Sequence, residues 1–222
     1  MELWEFLLVN RYEVLTLTGQ HLTMVFVSVT IACIIGIPAG VLVTRRPRLE
    51  RSVLGFANVV QTLPSLALFG FLIPLPLIGG IGMRTAIVAL VLYALLPIIR
   101  NTYAGVRGVD TAIKEAGRAM GMTDRQLLWQ VEIPLALGVI VTGIRLAAIT
   151  SVGIATIAAA VGAGGLGMYI FRGVASVNTT LVLAGSIPVA TLALLSDLGL
   201  GWLEQRVSPS PMSLDGPERR AV

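Results

Sequence analysis

EAGRAMGMTDRQLLWQVEIP, Glu115 to Pro134, interrupts a chain otherwise suited to lipid. The stretch carries five charged side chains, a glycine step and a closing proline, in a 222-residue chain that is 55% hydrophobic and 13% charged. Apolar runs flank it on both sides. Whether it lies in water or in the bilayer decides how often the chain crosses a membrane, and in which sense.

Those runs approach or exceed the ~20 residues a spanning helix needs. Mean hydropathy is +0.87, well outside the range of soluble domains. Backbone polar groups in lipid must be satisfied within their own segment, so the runs are expected to be helices. They are continuous rather than alternating, which argues against a β-barrel. The expected fold is an all-α integral membrane domain over residues 1–205. Its five transmembrane helices fall near 22–44, 53–77, 83–100, 134–160 and 179–203. Residues 1–20 read as a short helix on the outer surface, not a signal peptide, because Glu2, Glu5 and Glu13 replace a basic leader. The polar Pro/Ser-rich tail, 206–222, is expected to be disordered.

Lys and Arg set the orientation. Twelve basic residues follow crossings 1, 3 and 5: Arg45, Arg46, Arg48, Arg51, Arg100, Arg107, Lys114, Arg118, Arg125, Arg206, Arg219 and Arg220. The other side has only Arg11, Arg84 and Arg172. The N-terminus is therefore expected outside and the C-terminus inside. The net charge of +4 then reflects topology and not nucleic-acid binding. Trp129 and Trp202 are expected at the inner interface.

On this topology the longest polar connection, 101–133, is cytoplasmic. Asp110 suits the N-cap of a helix to Ala119, and Gly121 breaks it. Thr123 with Gln126 three residues on makes a capping box for a second helix, and Pro134 opens the fourth crossing. The result is a helix–turn–helix elbow against the inner face. Ala116, Gly117 and Ala119 leave a surface of little bulk where a partner can approach, and Glu115, Arg118 and Arg125 add directional charge. Composition alone fits a plain solvated connector equally well.

The remaining features narrow the chemistry. Cys33 and His21 are single, so the chain offers no disulfide framework, metal cluster or catalytic Ser/His pair. GAGGLG (162–167) matches a dinucleotide fingerprint, but it follows a membrane span and lacks the strand that such a site needs. It reads as a tight turn. There is no P-loop, so ATP is not expected on this chain. Pro38, Pro64, Pro74, Pro76, Pro97 and Pro188 are expected to kink or break helices, and Gly36 with Gly40 to permit close helix approach. Arg145, roughly 17 Å into the fourth crossing, needs a partner or a wet cavity. Asp197, roughly 13 Å from Arg206 in the antiparallel fifth crossing, lies at similar depth. The two readings are an intramembrane Arg145–Asp197 pair and an Arg145 that snorkels to the inner surface.

Glu115-Ala116, Gly121 and Ile133-Pro134 resemble the EAA loop of bacterial ABC-importer permeases. Gly117 stands where that pattern usually has Ala, and VEIP departs mildly from its last element. QTLPSLALFGFLIPL (61–75), LYALLPIIRNTYAGVRGVD (92–110), GIRLAAI (143–149) and AAVGAGGLG (159–167) resemble the branch that imports glycine betaine, carnitine, choline and related osmoprotectants. The resemblance covers about residues 20–205. It implies a type I ABC-importer permease fold in the bacterial cytoplasmic membrane. It implies transport without enzymatic chemistry in this chain, and ATP and Mg on a partner.

It also implies that Glu115, Ala116, Gly117, Arg118, Gly121, Met122 and Thr123 couple to a cytoplasmic ATPase dimer. A second permease copy or paralogue and an extracytoplasmic binding protein complete the assembly. Aromatic faces hold quaternary ammonium groups, so Phe69, Phe71 and Tyr93 are pathway candidates. The alternatives are a permease for an amino acid such as methionine and, from another class, a secondary transporter. The latter usually needs mid-membrane carboxylates beyond the lone Asp197.

Overall fold

Among the described residues, four helices are long and apolar enough to cross a membrane, or five crossings if one sharply bent pair counts as a span. The computed structural model describes residues 2–76 and 78–208, with the backbone alone at Pro47. Most of the expected tail, 209–222, lies outside the described residues. All regular elements among the described residues are helical.

The first helices differ from expectation. Helix α1 (Leu3–Val9) is short, and α2 (Arg11–Arg45) runs unbroken for 35 residues. The expected surface helix over 1–20 therefore ends at Val9, and the helix that holds the first crossing starts at Arg11, well before residue 22. Nothing between Asn10 and Pro38 stops the helix, since the two isolated glycines, Gly19 and Gly36, cost only about 1 kcal/mol each. The hydroxyls of Thr16, Thr18 and Thr23 donate back to the carbonyls of Tyr12, Val14 and Gly19 at 2.8, 2.7 and 2.8 Å.

The expected crossing at 53–77 is two helices. Helix α3 (Pro47–Thr62) follows α2 after the single residue Arg46, with its proline in the first turn, so Arg48 and Arg51 ride on a helix and not a loop. Helix α4 (Ser65–Leu72) is bent 103° from α3. Pro64 causes the break: it disfavours the helical conformation at the residue before it, and Leu63 is extended at φ −70°, ψ 133°. The Tyr93 hydroxyl donates to the Leu63 carbonyl exposed there.

Helix α5 (Met83–Arg107) lies between α2 and α8 (Ile133–Ile157) and reaches past the expected end at 100. Its approach to α2 depends on missing side chains. A Cβ at Gly40 would lie 2.6 Å from Thr102 Cβ, and one at Gly36 would lie 2.9 Å from Ile98 Cγ2. Pro97 does not break α5. The Tyr93 carbonyl that it leaves without an N–H partner accepts from Gln61 Nε2 of α3 at 3.4 Å. Met24, Phe69, Leu90 and Val152, one each from α2, α4, α5 and α8, meet in the main core.

After a 3₁₀ turn (Ala158–Val161), Gly162, Gly164 and Gly165 take φ of +74°, +80° and +79°. This left-handed run is the tight turn expected of GAGGLG, and Gly165 N–H donates to Gln20 Oε1 at 3.0 Å. Helices α9 (Gly167–Ala175) and α10 (Thr179–Val207) complete the chain. Phe6 meets Tyr169 edge-on at 5.6 Å, and Glu13 pairs with Arg172 at 2.9 Å, so α1 and the start of α2 pack on α9. Burial, with the Glu13 carboxylate adding to it, pushes the Tyr169 phenol up to about 12.

Candidate functional site

The elbow is built as its sequence predicts, with two exceptions. Helix α6 (Thr111–Ala119) starts with Asp110 Oδ1 accepting from Ala112 N–H at 2.8 Å. Gly121, at φ +85°, ends it. Gly121 N–H donates to Arg118 O at 2.9 Å and Met122 N–H to Gly117 O at 3.1 Å, the paired bonds of a Schellman turn. Thr123 then caps α7 (Asp124–Leu127): Gln126 N–H donates to its hydroxyl at 3.3 Å, and its own N–H donates to Gln126 Oε1 at 2.9 Å.

The first exception is Gly117, which faces inward. A Cβ there would lie 2.8 Å from Leu127 Cδ1 and 3.2 Å from Met122 Sδ, so α6 closes onto α7 over a bare backbone. Glu115, Ala116, Arg118, Gly121 and Thr123 are exposed, and Met122 is half-buried. Ile113 and Met120 stand out at 44% and 77% exposed, on the same face as Ala116. That face is apolar and finds no partner among the described residues.

The second exception is the join to α8. Pro134 does not open a separate helix, because residues Asp124–Val161 form one continuous 38-residue helical run. Proline removes a donor and crowds the preceding turn. The chain relaxes through a π turn, Leu128–Glu132, in which Ile133 N–H bonds to Leu128 O five residues back. The turn ends on Glu132, 2% exposed, whose carboxylate pairs with Arg45 at the end of α2. Lys114 Nζ donates to the carbonyls of Val106 and Arg107, each at 3.3 Å. Together these residues form the basic end of the bundle.

A second charged group joins α8 to α10. Arg145 Nε donates to Asp197 Oδ1 at 2.5 Å, and its Nη1 donates to Glu204 Oε2 at 3.1 Å. Thr142 Oγ1 donates to Glu204 Oε1 at 2.7 Å. Gly201 leaves room for the guanidinium, since a Cβ there would lie 3.1 Å from Arg145 Cζ. The fork geometry of Arg suits such divided recognition. Asp197, Gly201 and Glu204 fall at i, i+4 and i+7, one helical face, and that spacing is the signal by which Glu204 is readable in sequence. Glu132 has a weaker signal, a lone acid among apolar residues just before a proline. Of the aromatic candidates, Phe69 and Tyr93 are buried in the core, at 0% and 6% exposed, whereas Phe71 is 62% exposed. No group of side chains suited to a metal ion occurs among the described residues.

Comparison with known proteins agrees with this architecture. The family described as "Binding-protein-dependent transport system inner membrane component" matches residues 32–209. The carnitine transport permease protein OpuCB of Listeria monocytogenes is 46% identical over 200 residues, covering 90% of each chain. The glycine betaine/carnitine/choline permease protein OpuCD of Bacillus subtilis is 48% identical over 86% of this chain and 82% of its own. The osmoprotectant import permease protein OsmW of Salmonella typhimurium is 44% identical over 93% of this chain and 95% of its own. Among solved structures, an inward-facing MetNI methionine ABC transporter superposes with a TM-score of 0.81 at 29% identity, covering 90% of this chain and 98% of that one. The chain belongs to the binding-protein-dependent inner membrane components, the multi-pass permease subunits of ABC importers.

Proposed function

We propose that this permease carries osmoprotectants with quaternary ammonium groups, such as glycine betaine, carnitine or choline. One observation carries the reading: relatives named for osmoprotectants of this kind are 41–48% identical over 86–94% of the chain, against 29% for the methionine permease. A methionine-type substrate is the alternative that the superposition favours.

The exposed surface of α6, with Ile113, Ala116 and Met120 on its apolar face and Glu115 on a neighbouring exposed side, is the surface that a cytoplasmic ATPase dimer grips. ATP and Mg bind on that partner. Two copies of this chain, or the chain and a paralogue, enclose the pathway, and an outer binding protein delivers the solute. ATP and the loaded binding protein shift a two-state packing equilibrium. The excess of Lys and Arg at the elbow end supports a cytoplasmic elbow and an external N-terminus. Arg145, Asp197 and Glu204 act as a clamp that keeps α8 and α10 moving as one body.

Reconstitution with the ATPase and binding protein into vesicles tests the substrate. ATP-dependent uptake of glycine betaine, carnitine or choline is expected, and uptake of methionine alone would overturn the reading. Orientation has its own test in right-side-out membrane vesicles of a Cys33→Ala background. An impermeant maleimide is expected to label Val177→Cys, at a site 92% exposed, and to spare Ala119→Cys. The reverse pattern inverts the topology.

A further inference from the structure

The elbow reaches the bundle by more than its covalent link to α8. Lys114 touches only carbonyls at the end of α5, but Glu132 makes a full ion pair with Arg45 at the end of α2. Glu132 is the only buried charged side chain among the described residues. A buried carboxylate is costly unless paired, and removing one partner leaves the other uncompensated. Arg45 therefore holds Glu132, and with it α2, to this one place.

Two further observations bear on what the pair does. The π turn that ends on Glu132 carries one residue more than an α turn. It rotates everything before it by about 100° relative to α8. The direction of the elbow and the aim of Glu132 are thus set by the same feature. The pair also borders a cavity of about 300 Å³ lined by Glu50, Tyr103, Arg107 and Lys114 as well as Arg45 and Glu132. The contact lies beside open space lined by charged and apolar side chains alike, and not in a jammed core.

We propose that Glu132 is a positioning residue of the transport cycle: through Arg45 it fastens the end of α2 to the root of the elbow, so that a displaced elbow moves α2 together with α8. Helix α5 follows, because α2 is seated on it at Gly40 and Thr102. This rests on the reading of the elbow as the ATPase grip.

The test uses the full transporter, with ATPase and binding protein, in proteoliposomes. Glu132→Gln keeps the shape and a neutral hydrogen bond while removing the charge. The ATPase is expected to co-purify and hydrolyse ATP, while solute moved per ATP falls about five-fold. Arg45→Gln is expected to behave alike. The Arg45→Glu/Glu132→Arg exchange is expected to recover at least about half of the lost ratio, as coupled pairs do. If the exchange does not accumulate in the membrane, the neutral Arg45→Gln/Glu132→Gln pair replaces it. Its loss should equal that of one single variant and not the sum of both. An unchanged solute-to-ATP ratio in Glu132→Gln overturns the proposal, as does a parallel fall of hydrolysis and uptake with the amount of folded complex. A wild-type chain that does not bind the ATPase, or that keeps binding and uptake when Glu115→Ala and Met120→Glu alter the grip, sinks the elbow reading itself.

Discussion

Gly117→Leu is expected to abolish ATP-driven uptake and to release the ATPase from the permease while the membrane bundle remains folded. The added side chain has nowhere to go, since even its Cβ would sit 2.8 Å from Leu127 Cδ1 and 3.2 Å from Met122 Sδ. Overpacking of this kind costs about 1–3 kcal/mol. In the elbow it falls on a small unit whose two helices are joined by one Schellman turn, one capping box, an exposed Arg118–Asp124 pair and the buried Leu127. Helix α6 should tilt away from α7 and carry the grip with it. Gly117→Ala tests the gradation. Its single methyl meets the flexible ends of Leu127 and Met122, so it should keep most uptake. Co-purification of the ATPase and thermal stability of the detergent-solubilised permease separate the outcomes. A lowered melting temperature with the ATPase still bound would show that Gly117 serves the bundle and not the grip.

The second large effect is expected at Arg145. Arg145→Leu leaves Asp197 and Glu204 together on one face of α10 with no cation beside them. Like charges deprived of their partner and held near lipid are strongly unfavourable, so little folded protein should reach the membrane. Asp197→Asn and Glu204→Gln should be milder, because each leaves the guanidinium one carboxylate. The triple change, Arg145→Leu with Asp197→Asn and Glu204→Gln, removes every charge and should restore the folded yield. Yield is read by fluorescence-detected gel filtration and uptake in vesicles. Restored yield with uptake still lost would support a clamp needed in the cycle. Restored uptake would make it a structural contact. An Arg145→Leu protein as abundant and active as the parent would dispose of the clamp.

Much of this was legible in the sequence because it is local. The caps at Asp110 and Thr123 need only neighbours two and three residues away, and the glycine turn at 162–165 needs only its own backbone. Long apolar runs announce crossings by composition. What was missed depends on contacts far along the chain. Gly117 reads as a surface residue until Leu127 is known to fold back over it. The π turn leaves no mark in hydropathy, because one extra residue changes the direction of a helix and not its composition. Pro64 was readable as a break, but the size of the bend depends on what lies beneath, where Tyr93 holds the freed carbonyl of Leu63. Glu132 and Arg45 are 87 positions apart, and no spacing rule connects them.

The length of α2 also bears on the lipid around it. At 1.5 Å per residue its 35 residues measure roughly 52 Å, against a hydrocarbon thickness of about 30 Å. Because Thr16, Thr18 and Thr23 already bond to their own helix, their hydroxyls can meet acyl chains or headgroups without a bare donor. The water–oil boundary can slide along it by several ångströms. One end of one helix thus offers the length to take up a thickness mismatch.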